Sequence, residues 1–132
     1  LADPERDSID RYIFKAMIFG GFIEDELVGC YILDTNNQGS AEIKNIAVEA
    51  KHQNQGIGKS LLTHAIQTTK SLYKQQLIIA TADTSTMQLG LYQKTGFKII
   101  EVQKDYFPKH YKNPIFENGM QCVDRIVLRM EL

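Results

Sequence analysis

The sequence has no tryptophan, three prolines, three histidines and two cysteines in 132 residues. Cys30 and Cys122 have no near partner at metal-ligand spacing, and a disulfide framework needs more cysteines than two. Both are read as reduced thiols, with a Cys30–Cys122 disulfide as the alternative. No grouping of Cys and His has the spacing of a metal site, so no metal is expected. Charge of one sign is also missing: 15 basic residues face 16 acidic ones, for a net −1. That balance excludes the basic block of a nucleic-acid binder. No apolar run approaches a membrane span and no secretory signal is present, so a cytoplasmic protein without a membrane partner is expected. The chain opens on Leu1-Ala2 rather than Met, which leaves room for upstream residues and a first strand.

What is present is a chain that is 43% hydrophobic. It is long enough for one domain with a real core, here taken as residues 1–132. Asp3-Pro4-Glu5 predicts a helix start, with an apolar stripe of Ile9, Tyr12, Ile13 and Ala16. Met17 to Ile23 and Leu27 to Leu33, joined by the polar Glu24-Asp25-Glu26, predict a hairpin. A loop follows from Asp34 to Ser40. Ala41 to Val48 reads as a central strand in which Glu42 and Lys44 share a face. Its alternation fails at Ile46-Ala47-Val48, which predicts a bulge near Asn45 or Ile46. A helix to about Lys70, a strand from Gln76 to Ala82, a helix from Ser85 to Lys94 and a strand from Phe97 to Val102 come next. The stretch from Asp105 to Gly119 reads as an aromatic loop, and Cys122 to Met130 as a last strand. This order predicts one mixed α/β (α+β) domain.

The richest stretch is His52 to Leu62, where Gly56, Gly58 and Lys59 stand at the opening of a helix. Gly58-Lys59-Ser60 matches the tail of a P-loop, but the required earlier glycine is Gln53. A dinucleotide fingerprint needs a third glycine where Leu61 stands. A plain turn, in which glycines only permit left-handed angles, is the bland alternative. The physics favours an anion, because the first amides of a helix lack internal partners and the helix dipole is positive there. A pyrophosphate is the natural guest.

Gln53-Asn54-Gln55-Gly56-Ile57-Gly58 resembles the Q/R-x-x-G-x-G/A signature of the GNAT superfamily, the acetyl-coenzyme A-dependent N-acetyltransferases. Glu42 to Val48 is similar to that family's central strand, and Leu91 to Phe97 (LYQKTGF) to its LYxKxGF segment. The three lie in the family's order, and the resemblance is most secure from Met17 to about Phe107. It implies a mostly antiparallel central sheet flanked by helices, with strands splayed at the bulge to admit acetyl-CoA. It also implies that the Ile46, Ala47 and Val48 backbone binds the acetyl carbonyl and pantetheine. Gln53, Asn54, Gln55, Gly56, Ile57, Gly58 and Lys59, with Ser60, would wrap the pyrophosphate through main-chain amides. Tyr92 would stand near the thioester sulfur. Many members carry Asn seven residues before that tyrosine, touching pantetheine; here the place is Ser85. Members often form dimers, so a homodimer is a further expectation.

Amine acetylation has two proton problems. An ammonium with pKa about 10.4 must lose a proton, and the leaving thiolate must gain one. Tyr92 suits the second task as a general acid, the alternative being a core aromatic. Glu42 is the candidate base, the alternative being a solvated glutamate paired with Lys44. His52 and His64 read as surface residues, and His110 as a weaker candidate facing the acceptor. In the aromatic loop, Tyr106, Phe107, Tyr111 and Phe116 could wall an acceptor, with Asp105 and Glu117 available to a cationic amine. Packing over the sheet's end or a dimer contact is the alternative. The expected reaction is acetyl transfer to a primary amine of a small molecule. A protein N-terminus or lysine is the alternative acceptor, and a non-catalytic coenzyme A-binding module the alternative function.

Overall fold

A computed structural model describes residues 16–132. The helix expected from Asp3 falls outside the described residues, and Ala16, assigned to its stripe, instead opens the first strand. In order come β1 (Ala16–Ile23), β2 (Glu26–Asp34), β3 (Ser40–Val48), a 3-10 turn (Ala50–His52), α1 (Ile57–Ser71), β4 (Gln76–Ala82), α2 (Thr86–Thr95), β5 (Lys98–Gln103), α3 (Tyr106–His110), β6 (Phe116–Glu117), β7 (Met120–Gln121) and β8 (Arg125–Glu131). Six strands form one sheet in the order β1-β2-β3-β4-β8-β5, and β6-β7 is a separate ribbon. The pairs β1-β2, β2-β3 and β5-β8 are antiparallel. The predicted mixed, mostly antiparallel α/β architecture is the one observed. Among the described residues no helix is long and apolar enough to cross a membrane.

The chain divides into two compact units, one running to Leu77 and including Leu132, the other Ile78–Glu131. In the first, β1 and β2 join through Glu24 and Asp25, both at positive φ (48° and 71°). That backbone twist matches the strands it connects, as two-residue hairpin turns require. The register shifts between Ile32 and Leu33, which pair with Asn45 and Ile43 and leave Lys44 as the extra residue of β3. The bulge is therefore real but lies at Lys44, one residue before the predicted place. Burial of Ala41, Ile43 and Asn45 keeps period two across it. The loss of alternation at Ile46–Val48, taken as the bulge signal, is a stretch of three half-buried residues instead.

Helix α1 buries Leu61, Leu62, Ala65 and Thr69, and the Thr69 hydroxyl donates to the Ala65 carbonyl at 2.7 Å. These meet Val28, Tyr31, Leu33, Ala41, Ile43 and Leu77 in the core of the first unit. The helix and β3 come so close that a Cβ on Gly29 would lie 3.0 Å from Leu61 Cδ1 of the helix and 2.9 Å from the Ala47 carbonyl oxygen of β3. Gly29→Ala is therefore expected to cost about 1–3 kcal/mol through overpacking. It would appear as a lower urea midpoint at unchanged m-value.

In the second unit the core holds Ile79, Ala82, Tyr92, Phe97, Cys122, Ile126, Val127 and Leu128. Helix α2 ends where Gly96, at φ 122°, turns the chain back. The Gly96 and Phe97 amides then both donate to the Tyr92 carbonyl, at 3.2 and 3.0 Å. Phe97 packs on the Tyr92 ring at 6.2 Å between centroids. The residues Asp105 to Gly119, expected as loop, hold a short helix and the outer part of a hairpin. Asn118 and Gly119, at φ 55° and 75°, turn β6 into β7 with Glu117 opposite Met120. An Asn-Gly pair is the strongest short-range hairpin signal, and two-residue strands around it are too short to show alternation.

Candidate active site

The glycine turn is built for an anion. Asn54 adopts φ 63°, and Gly56 precedes α1 in the left-handed region at φ 81°. The first helical amide to find a backbone acceptor is that of Ser60, which donates to the Gly56 carbonyl at 3.0 Å. Among the described residues, the amides of Asn54, Gln55, Gly56, Ile57, Gly58 and Lys59 make no backbone hydrogen bond. Six open donors at the positive end of a 15-residue helix, with the Lys59 ammonium beside them, suit a diphosphate. The expected wrap is a main-chain one, and the Gln53 amide is not free for it, donating to the Ala50 carbonyl at 3.4 Å; two side chains of the turn are engaged as well. Gln53 Nε2 donates to the Val48 carbonyl at 3.2 Å, so it ties the turn to the end of β3. Ser60 Oγ donates to the Gly56 carbonyl at 3.1 Å, which steadies the first turn. The cradle is a main-chain one.

On β3, Glu42 and Lys44 do share a face and form an ion pair at 3.3 Å. Ile46, Ala47 and Val48 complete the strand, half-buried. Just before the turn, Lys51 Nζ lies 3.0 Å from Glu26 and 3.7 Å from Glu49. This ammonium draws the exposed Glu26 carboxyl below the ordinary carboxylate range. Glu26, Glu49 and His52 bring ligand atoms within 4.8 Å of one another, a grouping that sequence spacing did not reveal, though Lys51 already pairs with both carboxylates. His52 is more enclosed than expected, with neither ring nitrogen hydrogen-bonded. His64 is exposed as expected, yet its Nδ1 pairs with the Tyr31 hydroxyl at 2.6 Å. Burial raises the Tyr31 pKa.

Ser85 and Tyr92 both belong to the second unit. Tyr92 is 2% exposed. Burial, with a smaller push from the Glu117 carboxylate, raises its phenol to about 12. Ser85 is fully buried, and its hydroxyl donates to Glu117 Oε1. Thr84 Oγ1 donates to the same oxygen at 3.2 Å and lies 3.2 Å from Cys122 Sγ. Asn118 Nδ2 donates to the Thr84 carbonyl at 3.1 Å. The β6-β7 hairpin is thus clasped to the start of α2, seven residues before Tyr92. Cys30 and Cys122 are free thiols.

The aromatic segment mostly packs on itself. Tyr106 stacks on His110 at 4.1 Å and Phe107 on Tyr111 at 5.7 Å. The Arg125 guanidinium covers the Tyr106 ring at 4.9 Å. Asp105 closes this segment through its amide, which donates to Asp124 at 2.9 Å. Phe116 stands apart, exposed on the hairpin.

Comparison with known proteins converges on one family. Residues 16–99 match the family model of the acetyltransferase (GNAT) domain. The whole chain is 41% identical to the uncharacterized N-acetyltransferase YvbK of Bacillus subtilis, covering 85% of that protein. A GNAT family acetyltransferase from Elizabethkingia anophelis, solved with acetyl-CoA bound, superposes with TM-score 0.95 at 44% identity, over 99% of this chain and 86% of the other. IAA acetyltransferase from Bacillus cereus superposes equally well, TM-score 0.95 at 41% identity, over 99% and 87%. A match over most of the described residues and high identity over nearly the full length lead to one conclusion: this chain belongs to the GNAT family of N-acetyltransferases.

Proposed function

We propose that this chain transfers the acetyl group of acetyl-CoA to a primary amine of a small molecule, as a single transferase domain. The observation that carries the reading is the run of six main-chain amides without backbone acceptors at the start of α1. There Asn54 to Lys59 hold the coenzyme's diphosphate, with the Gln53 side chain bracing the turn against Val48. The backbone of Ile46, Ala47 and Val48 receives the acetyl carbonyl and pantetheine, beside the strand irregularity at Lys44. The Ser85 hydroxyl keeps its donation to Glu117 and accepts from a pantetheine amide; Ser60, whose amide and hydroxyl both donate to the Gly56 carbonyl, holds the first turn in place.

Acetyl-CoA supplies the thioester whose carbon the amine nitrogen attacks. As that C–N bond forms and the C–S bond breaks, the leaving sulfur takes up negative charge. Tyr92, protonated throughout the neutral range, donates its hydrogen bond and then its proton to that sulfur. Before that attack the ammonium gives one proton to Glu42, directly or through water, once the Glu42–Lys44 pair loosens; after it the nitrogen sheds a second proton, which restores the Tyr92 phenol, and Glu42 returns its own to water. An amine-dependent thiol-release assay tests the reading. Acetyl-CoA is supplied with a panel of primary amines, with IAA added because a relative is an IAA acetyltransferase. Amine-dependent release supports the proposal. Coenzyme binding without turnover of any acceptor would instead support a non-catalytic coenzyme-binding module.

A further inference from the structure

Glu117 is a half-buried carboxylate with an unusual set of neighbours. Its Oε1 receives two hydroxyls from the start of α2, Thr84 at 3.2 Å and Ser85. Both donors are buried, Thr84 at 3% exposure and Ser85 at 0%, so the carboxylate is fixed rather than waving on a loop tip. Among the described residues, no hydrogen bond or salt bridge involves its other oxygen, Oε2, and no lysine or arginine pairs with it. Anions drawn out of water are normally matched by a cation, because desolvation without a partner is costly. Directly across the ribbon stands Met120, half exposed at 56%. Residues opposite each other in a two-stranded ribbon project on the same face. A fixed charge, unpaired among the described residues, therefore sits beside a flexible apolar surface, close enough to Tyr92 for its field to act on that phenol.

We propose that Glu117 is the specificity-determining residue of the acceptor site, holding a primary alkylammonium through Oε2 while Met120 covers the amine's apolar stem. This rests on the transferase reading above and narrows its substrate class to amines that arrive as cations. Asp105, the other acid first considered for this task, is tied to Asp124 only through its backbone amide, and its side chain is exposed rather than clasped.

The test compares ethylamine, a cation at neutral pH, with trifluoroethylamine, nearly the same shape but uncharged there. Glu117→Gln keeps an oxygen for the Thr84 and Ser85 hydroxyls and removes only the charge. Roughly a 30-fold rise in KM for ethylamine is expected, in line with a lost charge-assisted hydrogen bond. The KM for acetyl-CoA stays unchanged, and trifluoroethylamine is hardly affected. Equal losses for both amines would make Glu117 a clasp for the hairpin, and no loss for either would remove it from the site; both outcomes overturn the assignment while leaving the transferase reading intact. Absence of turnover by the wild-type protein with either amine, and with the wider panel, overturns the transferase reading and this assignment together. Met120→Ala supplies an independent arm, with KM expected to rise for butylamine more than for methylamine; an equal change for the two removes Met120 from the site.

Discussion

Tyr92→Phe is expected to lower kcat by about 10²–10⁴-fold, the range of a lost general acid, while the coenzyme Kd stays where it was. The substitution removes one oxygen from a ring that is 2% exposed and packed against Phe97, so the helix and its Gly96 stop survive it. Single-turnover thiol release under saturating acetyl-CoA measures the effect free of product release. An unchanged rate would return Tyr92 to the role of a core aromatic. The same variant carries a second expected result. The folded phenol ionises near 12, whereas an unfolded tyrosine ionises near 10. Below pH of about 10 both states keep the proton, and this group gives stability no slope. Between about 10 and 12 the unfolded chain loses the proton first, so stability falls with rising pH, by up to roughly 3 kcal/mol over two units. Urea unfolding at stepped pH should show that loss in the wild-type protein and a shallower one in Tyr92→Phe.

Gly56→Val is expected to weaken coenzyme A binding by about 10–100-fold, read by calorimetry, with a much smaller change in the stability of the sheet. Nothing lies within 4 Å of a Cβ at Gly56, so crowding is not the reason. The reason is φ 81°, a conformation that costs a β-branched residue about 1–3 kcal/mol. Valine relieves that strain by swinging the turn, and the amides of Asn54 to Lys59 then no longer converge. Each 1.4 kcal/mol misdirected is about a tenfold loss of affinity. Gly56→Asn, which tolerates left-handed angles, should retain most of the affinity. An equal loss for Asn and Val would mean that the absence of a side chain, not the backbone angle, is what the site needs.

The sequence by itself determined the elements whose signals are local. The hairpin between β1 and β2, helix α1 and the Tyr92–Phe97 turn are each written in a few adjacent residues. Glu24-Asp25 sets a turn, Gly56 and Gly58 open a helix and Gly96 closes one, because glycine and polar turn residues act on their own backbone angles. The family signature reads for the same reason, since an anion cradle made of consecutive amides needs consecutive residues. The bulge was detected but placed one residue late, because only pairing with β2 decides that Lys44, not Asn45 or Ile46, is the extra residue.

Tertiary structure alone decided which polar groups were already engaged. That the Gln53 amide is taken by Ala50, and the Ser60 amide and hydroxyl by Gly56, appears only in the folded chain. Ser85 and Glu117 stand 32 positions apart, and no periodicity couples them, yet their contact fixes a carboxylate that has no cation among the described residues. Backbone conformation follows from neighbours along the chain. Charge, burial and proton affinity follow from neighbours across it, and only the folded chain supplies those.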